Sequence, residues 1–142
     1  MPLNSLDGLK EHKARLSSNA PRNGRTLVVP AGTCGRASGA DDLIQAIREA
    51  LLQKGLADRV QVRVTGCHGF CEMEPSILVQ PEGVFYCRLK TAHAERLVEA
   101  TAQGEVVEDL VWADPATGAR IPRQEDIPFF RKQRRTLLSR NE

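Results

Sequence analysis

The chain has 142 residues, enough for one domain with a sizeable core plus tails. Its 20 Lys and Arg nearly balance 18 Asp and Glu, so no global field marks a nucleic-acid binder. No apolar run approaches the roughly 20 residues of a membrane span, and the N-terminal MPLNSLDGLKEHKARL lacks the apolar stretch of a signal peptide; a cytoplasmic protein is expected.

Ser5 to Leu16 places leucines at 6, 9 and 16 and predicts a short amphipathic helix, broken by SSNAPRNG with its Pro21 and two Asn. RTLVVP begins the globular part with a buried strand over Thr26 to Val29, followed by the glycine-rich loop AGTCGRASGA. A helix is predicted from Asp41 to Lys54. Its apolar face is Leu43, Ile47, Ala50 and Leu51; Asp41 and Asp42 sit at its positive end, and Gly55 caps its other end. RVQVRVT alternates Val60, Val62 and Val64 with polar residues, which is strand periodicity.

The loop VTGCHGFCEMEP comes next. SILVQ and VFYCRL around Pro81, Glu82 and Gly83 then predict a hairpin, with Cys87 opposite Ile77. TAHAERLVEATA is helical from Thr91 to Ala102, with Thr91 as N-cap and Gly104 beyond the end. Beyond Trp112 the texture changes. Pro115, Pro122 and Pro128, the pair Phe129 and Phe130, and the basic run to Arg140 show no strand pattern. Only the last dozen residues suit a helix. Phe129, Phe130, Leu137 and Leu138 have no evident core, so the segment reads as a docking element.

The order β-α-β-loop-β-β-α, with a Pro heading the third strand, predicts an α/β thioredoxin-like sandwich with a mixed sheet. An N-terminal helix precedes it and an extended basic tail follows. The expected boundaries are 1–24 for helix and linker, 25–112 for the domain and 113–142 for the docking segment.

Four cysteines in a reducing compartment point to ligands or reactive thiols rather than disulfides. Cys67 and Cys71, in C-x3-C spacing, can grip one metal from a single tight loop, with Gly66 and Gly69 bringing backbone N–H groups near the sulfurs. Cys34 comes from the other glycine-rich loop. Cys87 is the remaining thiol, either a fourth ligand or a buried core cysteine. A four-cysteine zinc site normally uses two close pairs, and here there is one. His68 is an alternative ligand or a solvated loop residue. His12 and His93 fall on surface helices without visible partners. Glu74 before Pro75 reads as structural.

GTCGRASGA, then TGCHGFCEMEP, then a hairpin ending in FYCRL, resembles the thioredoxin-like 2Fe-2S ferredoxin domain. That domain forms the small thioredoxin-like subunit of bacterial complex I and the N-terminal domain of flavoprotein subunits in complex I-like enzymes and NAD-linked hydrogenases. The resemblance spans Thr26 to Gly104. It continues in IPFFRKQRRTLLSRN, which is similar to the segment leading into an FMN- and NADH-binding domain. The family's first loop carries C-x4-C around Gly-Thr; the corresponding positions here are Pro30 and Gly35, with Cys34 one residue before the second.

The resemblance implies a 2Fe-2S cluster on Cys34, Cys67, Cys71 and Cys87, a cis Glu74–Pro75 bond, and a non-catalytic electron-transfer role. FMN and NADH would belong to a partner or a missing domain. The implied partners are that flavoprotein domain and other iron–sulfur subunits, with homo-oligomers an open option and no nucleic acid. Two further readings stand beside this one. The first is a cluster-less docking module, given the residues at 30 and 35. The second is a thiol oxidoreductase using Cys34, which lies near a helix N-terminus, where thiol pKa values fall.

Overall fold

The computed structural model describes residues 5–18 and 24–134. Helix α1 (Leu6–Ser18) comes first, with Leu6 and Leu9 exposed. The break expected after it falls largely outside the described residues, as does the Leu16 side chain.

Strand β1 (Arg25–Pro30) runs parallel to β2 (Val60–Thr65), in register from Arg25 opposite Val60 to Pro30 opposite Thr65. Strand β3 (Ile77–Gln80) lies antiparallel on the other side of β1, and β4 (Val84–Tyr86) pairs antiparallel with β3. The sheet order is β2-β1-β3-β4, the mixed sheet expected from the sequence. A helical β1–β2 crossover accounts for the parallel pair, with β2 at the edge of the sheet.

Helix α3 (Ala40–Gln53) fills that crossover, and α4 (Ala94–Gln103) follows β4 through a 3-10 turn at Thr91–His93. Leu43, Ile44, Ile47 and Leu51 of α3 and Leu97 and Val98 of α4 pack with Leu27, Val29, Ile77, Val79, Val84 and Tyr86, so both helices cover one sheet face. Gly104 caps α4 as expected, but Thr91 does not cap it at the other end: the 3-10 turn takes up that residue, and the N-cap position of α4 falls to His93.

Two segments differ from the sequence expectation. The first glycine-rich loop contains a helical turn, α2 (Thr33–Ala37), with Cys34 on it. The stretch after Trp112 is structured. Strands β5 (Trp112–Ala113) and β6 (Arg120–Ile121) pair antiparallel, and a short helix α5 (Pro128–Arg131) follows. Two-residue strands carry no period that a sequence can display. Phe129 and Phe130, expected to lack a core, pack with Phe70 and Cys87 against a second cluster of Met73, Phe85, Trp112 and Ile127. Leu137, Leu138 and the helix expected at the C-terminus lie largely or wholly outside the described residues. Among the described residues no helix is long and apolar enough to cross a membrane.

Candidate functional site

The loop after β2 and the turn after β1 leave the same end of the sheet, because parallel strands present equivalent ends together. Their contact is tight. A Cβ on Gly32 would stand 3.1 Å from the Cys67 Cβ and 3.4 Å from its backbone nitrogen. A side chain at position 32 would force Cys67 to give way by a few tenths of an ångström.

Cys67 and Cys71 are brought together, with their sulfurs 3.6 Å apart. The Gly69 N–H donates to Cys67 Sγ at 3.1 Å. Cys71 opens a 3-10 turn, Cys71–Met73. Burial pushes the Cys67 thiol above its ordinary pKa, partly offset by the Gly69 N–H. A tetrahedral metal held by thiolates at about 2.3 Å keeps neighbouring sulfurs about 3.8 Å apart. The pair therefore fits two ligands of one metal.

Cys34 is exposed on α2, next to this contact. Cys87 stands apart. It lies one residue past β4, where its N–H donates to the Leu110 carbonyl, and it packs against the second cluster. Burial pushes its thiol up, with Arg88 and Arg120 pulling the other way. Its position corrects the expected register. Ile77 faces Tyr86, so Cys87 falls on the Phe85 face and not opposite Ile77. The chain beyond it is still tied to the cysteine loop, because Arg88 N–H donates to the Met73 carbonyl at 2.9 Å.

Among the described residues no three His, Cys, Asp or Glu side chains gather around one ion position. A mononuclear zinc site needs four converging donors. A two-iron centre needs only two protein ligands per iron, and the Cys67–Cys71 pair meets that for one iron.

His68 is buried, not solvated, with its Nε2 3.2 Å from Thr65 Oγ1. Glu74 is buried and structural as expected. Its carboxylate accepts from the Ser76 N–H at 2.9 Å and the Ser76 hydroxyl at 3.2 Å, and the Glu74–Pro75 peptide is cis. His12 and His93 both have partners, Arg15 and the Lys90 N–H. Asp41 and Asp42 occupy the first turn of α3, with Asp41 3.7 Å from Arg36.

Sequence reasoning missed Phe70. It sits between Gly69 and Cys71, and its ring stacks on Phe129 with centroids 4.2 Å apart and planes 8° apart. A phenylalanine inside a glycine- and cysteine-rich loop was the available signal.

No family model matches the chain. Residues of the chain are 36% identical over 70 positions to a 2Fe-2S ferredoxin of Clostridium pasteurianum, covering 49% of this chain and 69% of that protein. They are 33% identical over 84 positions to a 2Fe-2S ferredoxin of Aquifex aeolicus, covering 58% and 75%. The crystal structure of the thioredoxin-like 2Fe-2S ferredoxin from Aquifex aeolicus superposes with a TM-score of 0.59 at 25% identity, over 65% of this chain and 99% of that one.

Proposed function

This chain belongs to the thioredoxin-like 2Fe-2S ferredoxins, and we propose that it carries a 2Fe-2S cluster and passes single electrons. The observation that carries the reading is the Cys67–Cys71 contact at 3.6 Å, with a backbone N–H on one sulfur. Cys67 and Cys71 hold one iron in this reading; Cys34 from the adjoining turn and Cys87 hold the other. The bound cluster supplies a one-electron couple, its potential raised by hydrogen bonds to the sulfurs. The chain's own contribution is to fix the thiol pair, present Gly69 N–H to Cys67 and bring Gly32 against the loop. Cys87 must surrender a proton that burial favours keeping, so burial opposes metal binding there.

We further propose that the electron partner is an FMN- and NADH-binding flavoprotein domain with other iron–sulfur subunits. The likeness of IPFFRKQRRTLLSRN to the segment leading into such a domain supports this. In this reading residues 25–112 carry the cluster, and 113–142, whose described part packs on the same domain, lead toward the partner.

Anaerobically purified protein is expected to be red-brown, with about two Fe per chain by cluster stoichiometry and an EPR signal on reduction. Cys67→Ser and Cys71→Ser each remove most of that iron, and Cys34→Ser and Cys87→Ser report on the second iron. A colourless wild type that takes no iron on reconstitution overturns the reading.

One observation favours a second reading, the cluster-less docking module. A Cβ at Gly35 would lie 2.7 Å from the Pro30 carbonyl oxygen, so the family's second cysteine position in the first loop has no room for a side chain, and the first is occupied by Pro30. Under that reading, Cys67→Ser leaves binding to the flavoprotein domain unchanged and no iron is found.

A further inference from the structure

We infer that helix α5 is a positioning element for the cysteine loop, with Phe129 acting through Phe70 to set where Cys67 and Cys71 stand. This rests on the reading of those thiols as cluster ligands.

Phe70 is the residue between the amide that bonds Cys67 and the thiol of Cys71, so a shift of its ring displaces both sides of the pair. Its ring lies flat on Phe129 at 4.2 Å and meets Phe130 edge-on at 5.6 Å. Phe130 in turn meets Phe85 of β4 at 5.4 Å and Phe129 at 5.1 Å, both edge-on. The loop is therefore joined through rings to the rigid sheet. Phe129 also lies over Gly69, with its Cζ 4.0 Å from the place a Gly69 Cβ would take. Gly69 is the donor to Cys67.

The far side of this joint is well anchored. Ile127 is fully buried, and the chain before it is bonded to the hairpin through Phe85 N–H to the Pro122 carbonyl and Gln124 N–H to the Gly83 carbonyl. The near side has no regular structure. The loop is irregular from Gly66 to Phe70, and backbone bonds run from Met73 N–H to the Phe70 carbonyl and from Glu74 N–H to the Cys71 carbonyl. A ligand loop without regular structure, pressed by an anchored aromatic group, takes part of its geometry from that group. The C-terminal segment thereby connects whatever engages it to the thiols.

The test uses the full chain with Phe129→Ala, Phe129→Trp and, as a distant control, Leu56→Ala, which trims a residue packed on the helical side. Amide hydrogen exchange is read first in the iron-free proteins. Phe129→Ala is expected to speed exchange at Gly69 and Met73 by about two- to tenfold relative to β1 amides; Phe129→Trp restores it and Leu56→Ala leaves it unchanged. In reconstituted protein Phe129→Ala also shifts the EPR spectrum and reduction potential, and Phe129→Trp recovers them. Wild-type exchange at Gly69 and Met73 in folded Phe129→Ala overturns the inference, as does an equal rise with Leu56→Ala. Should Phe129→Ala fail to fold, Phe129→Leu keeps apolar volume without a ring, and the same exchange measurement decides. Failure of wild type to take up iron overturns the cluster reading instead, because the exchange experiment is read without iron.

Discussion

Gly35 is the residue whose environment most constrains the first loop. It is buried, and a Cβ there would press on the Pro30 carbonyl oxygen at 2.7 Å and approach a Glu74 carboxylate oxygen at 3.6 Å. Neither neighbour yields easily, since Pro30 belongs to β1 and Glu74 is held by Ser76. Gly35→Ala is expected to cost about 1–3 kcal/mol by overpacking, read as a lower urea midpoint with an unchanged slope. Gly35→Cys, which restores the family's second cysteine in sequence, should destabilise similarly and leave iron content at the wild-type level. A gain of iron in that variant would contradict the steric argument. At this scale the sequence made Cys67 and Cys71 legible as a pair, because C-x3-C spacing fixes their closeness locally. Cys87 was legible only as a thiol near the hairpin. Its side depends on register, and Val79 pairs with Val84, where a turn of Pro81 to Gly83 alone would have paired Gln80. One residue of slip moves a side chain to the opposite face.

Strand β4 shows how an element serves both faces of the sheet. Tyr86 points to the helical side and Phe85 to the aromatic cluster. The Tyr86 hydroxyl accepts the Val107 N–H at 3.1 Å and is fully enclosed. Tyr86→Phe strands that buried N–H and should cost about 1–3 kcal/mol. Burial pushes the Tyr86 phenol above its ordinary pKa, with the Val107 N–H opposing. The native state thus holds this proton more tightly than the unfolded chain. The resulting stability is fully present below the unfolded value of about 10 and is lost as pH rises through the folded one. Urea midpoints from about pH 8 to about pH 11 should fall more steeply for wild type than for Tyr86→Phe; parallel curves would refute the assignment. The strands and long helices of this domain were readable from period and caps, because each buries a regular face. The α2 turn was not, because five residues are too few for a period to show, and glycines at 32, 35 and 39 read as loop.

At the scale of the molecule, the sheet has two covered faces of unequal origin. Helices α3 and α4 cover one, and the C-terminal segment covers the other around Met73, Phe85, Trp112 and Ile127. The sequence disclosed the first cover and concealed the second, since Phe129 finds Phe70 only after the intervening chain has folded. A boundary at residue 112 therefore divides the domain sequence from part of its own core. Removal of buried Ile127 alone, by Ile127→Ala, should cost about 2–5 kcal/mol. A chain ending at Trp112 also loses β6, α5 and, with it, Phe129 and Phe130 of the aromatic group. It is expected to melt well below the full chain, to bind a hydrophobic dye as Phe85 and Trp112 are uncovered, and to retain less iron on reconstitution. A chain lacking residues 1–23 gives the contrast. Leu6 and Leu9 of α1 are 68% and 50% exposed, so little apolar burial is lost with them, and the melting temperature should stay within a few degrees of wild type. Equal stability of the two truncated chains would mean that the second cluster contributes nothing to the fold. A stable 1–112 chain that takes up iron with a wild-type EPR spectrum would return the ligand loop to self-sufficiency.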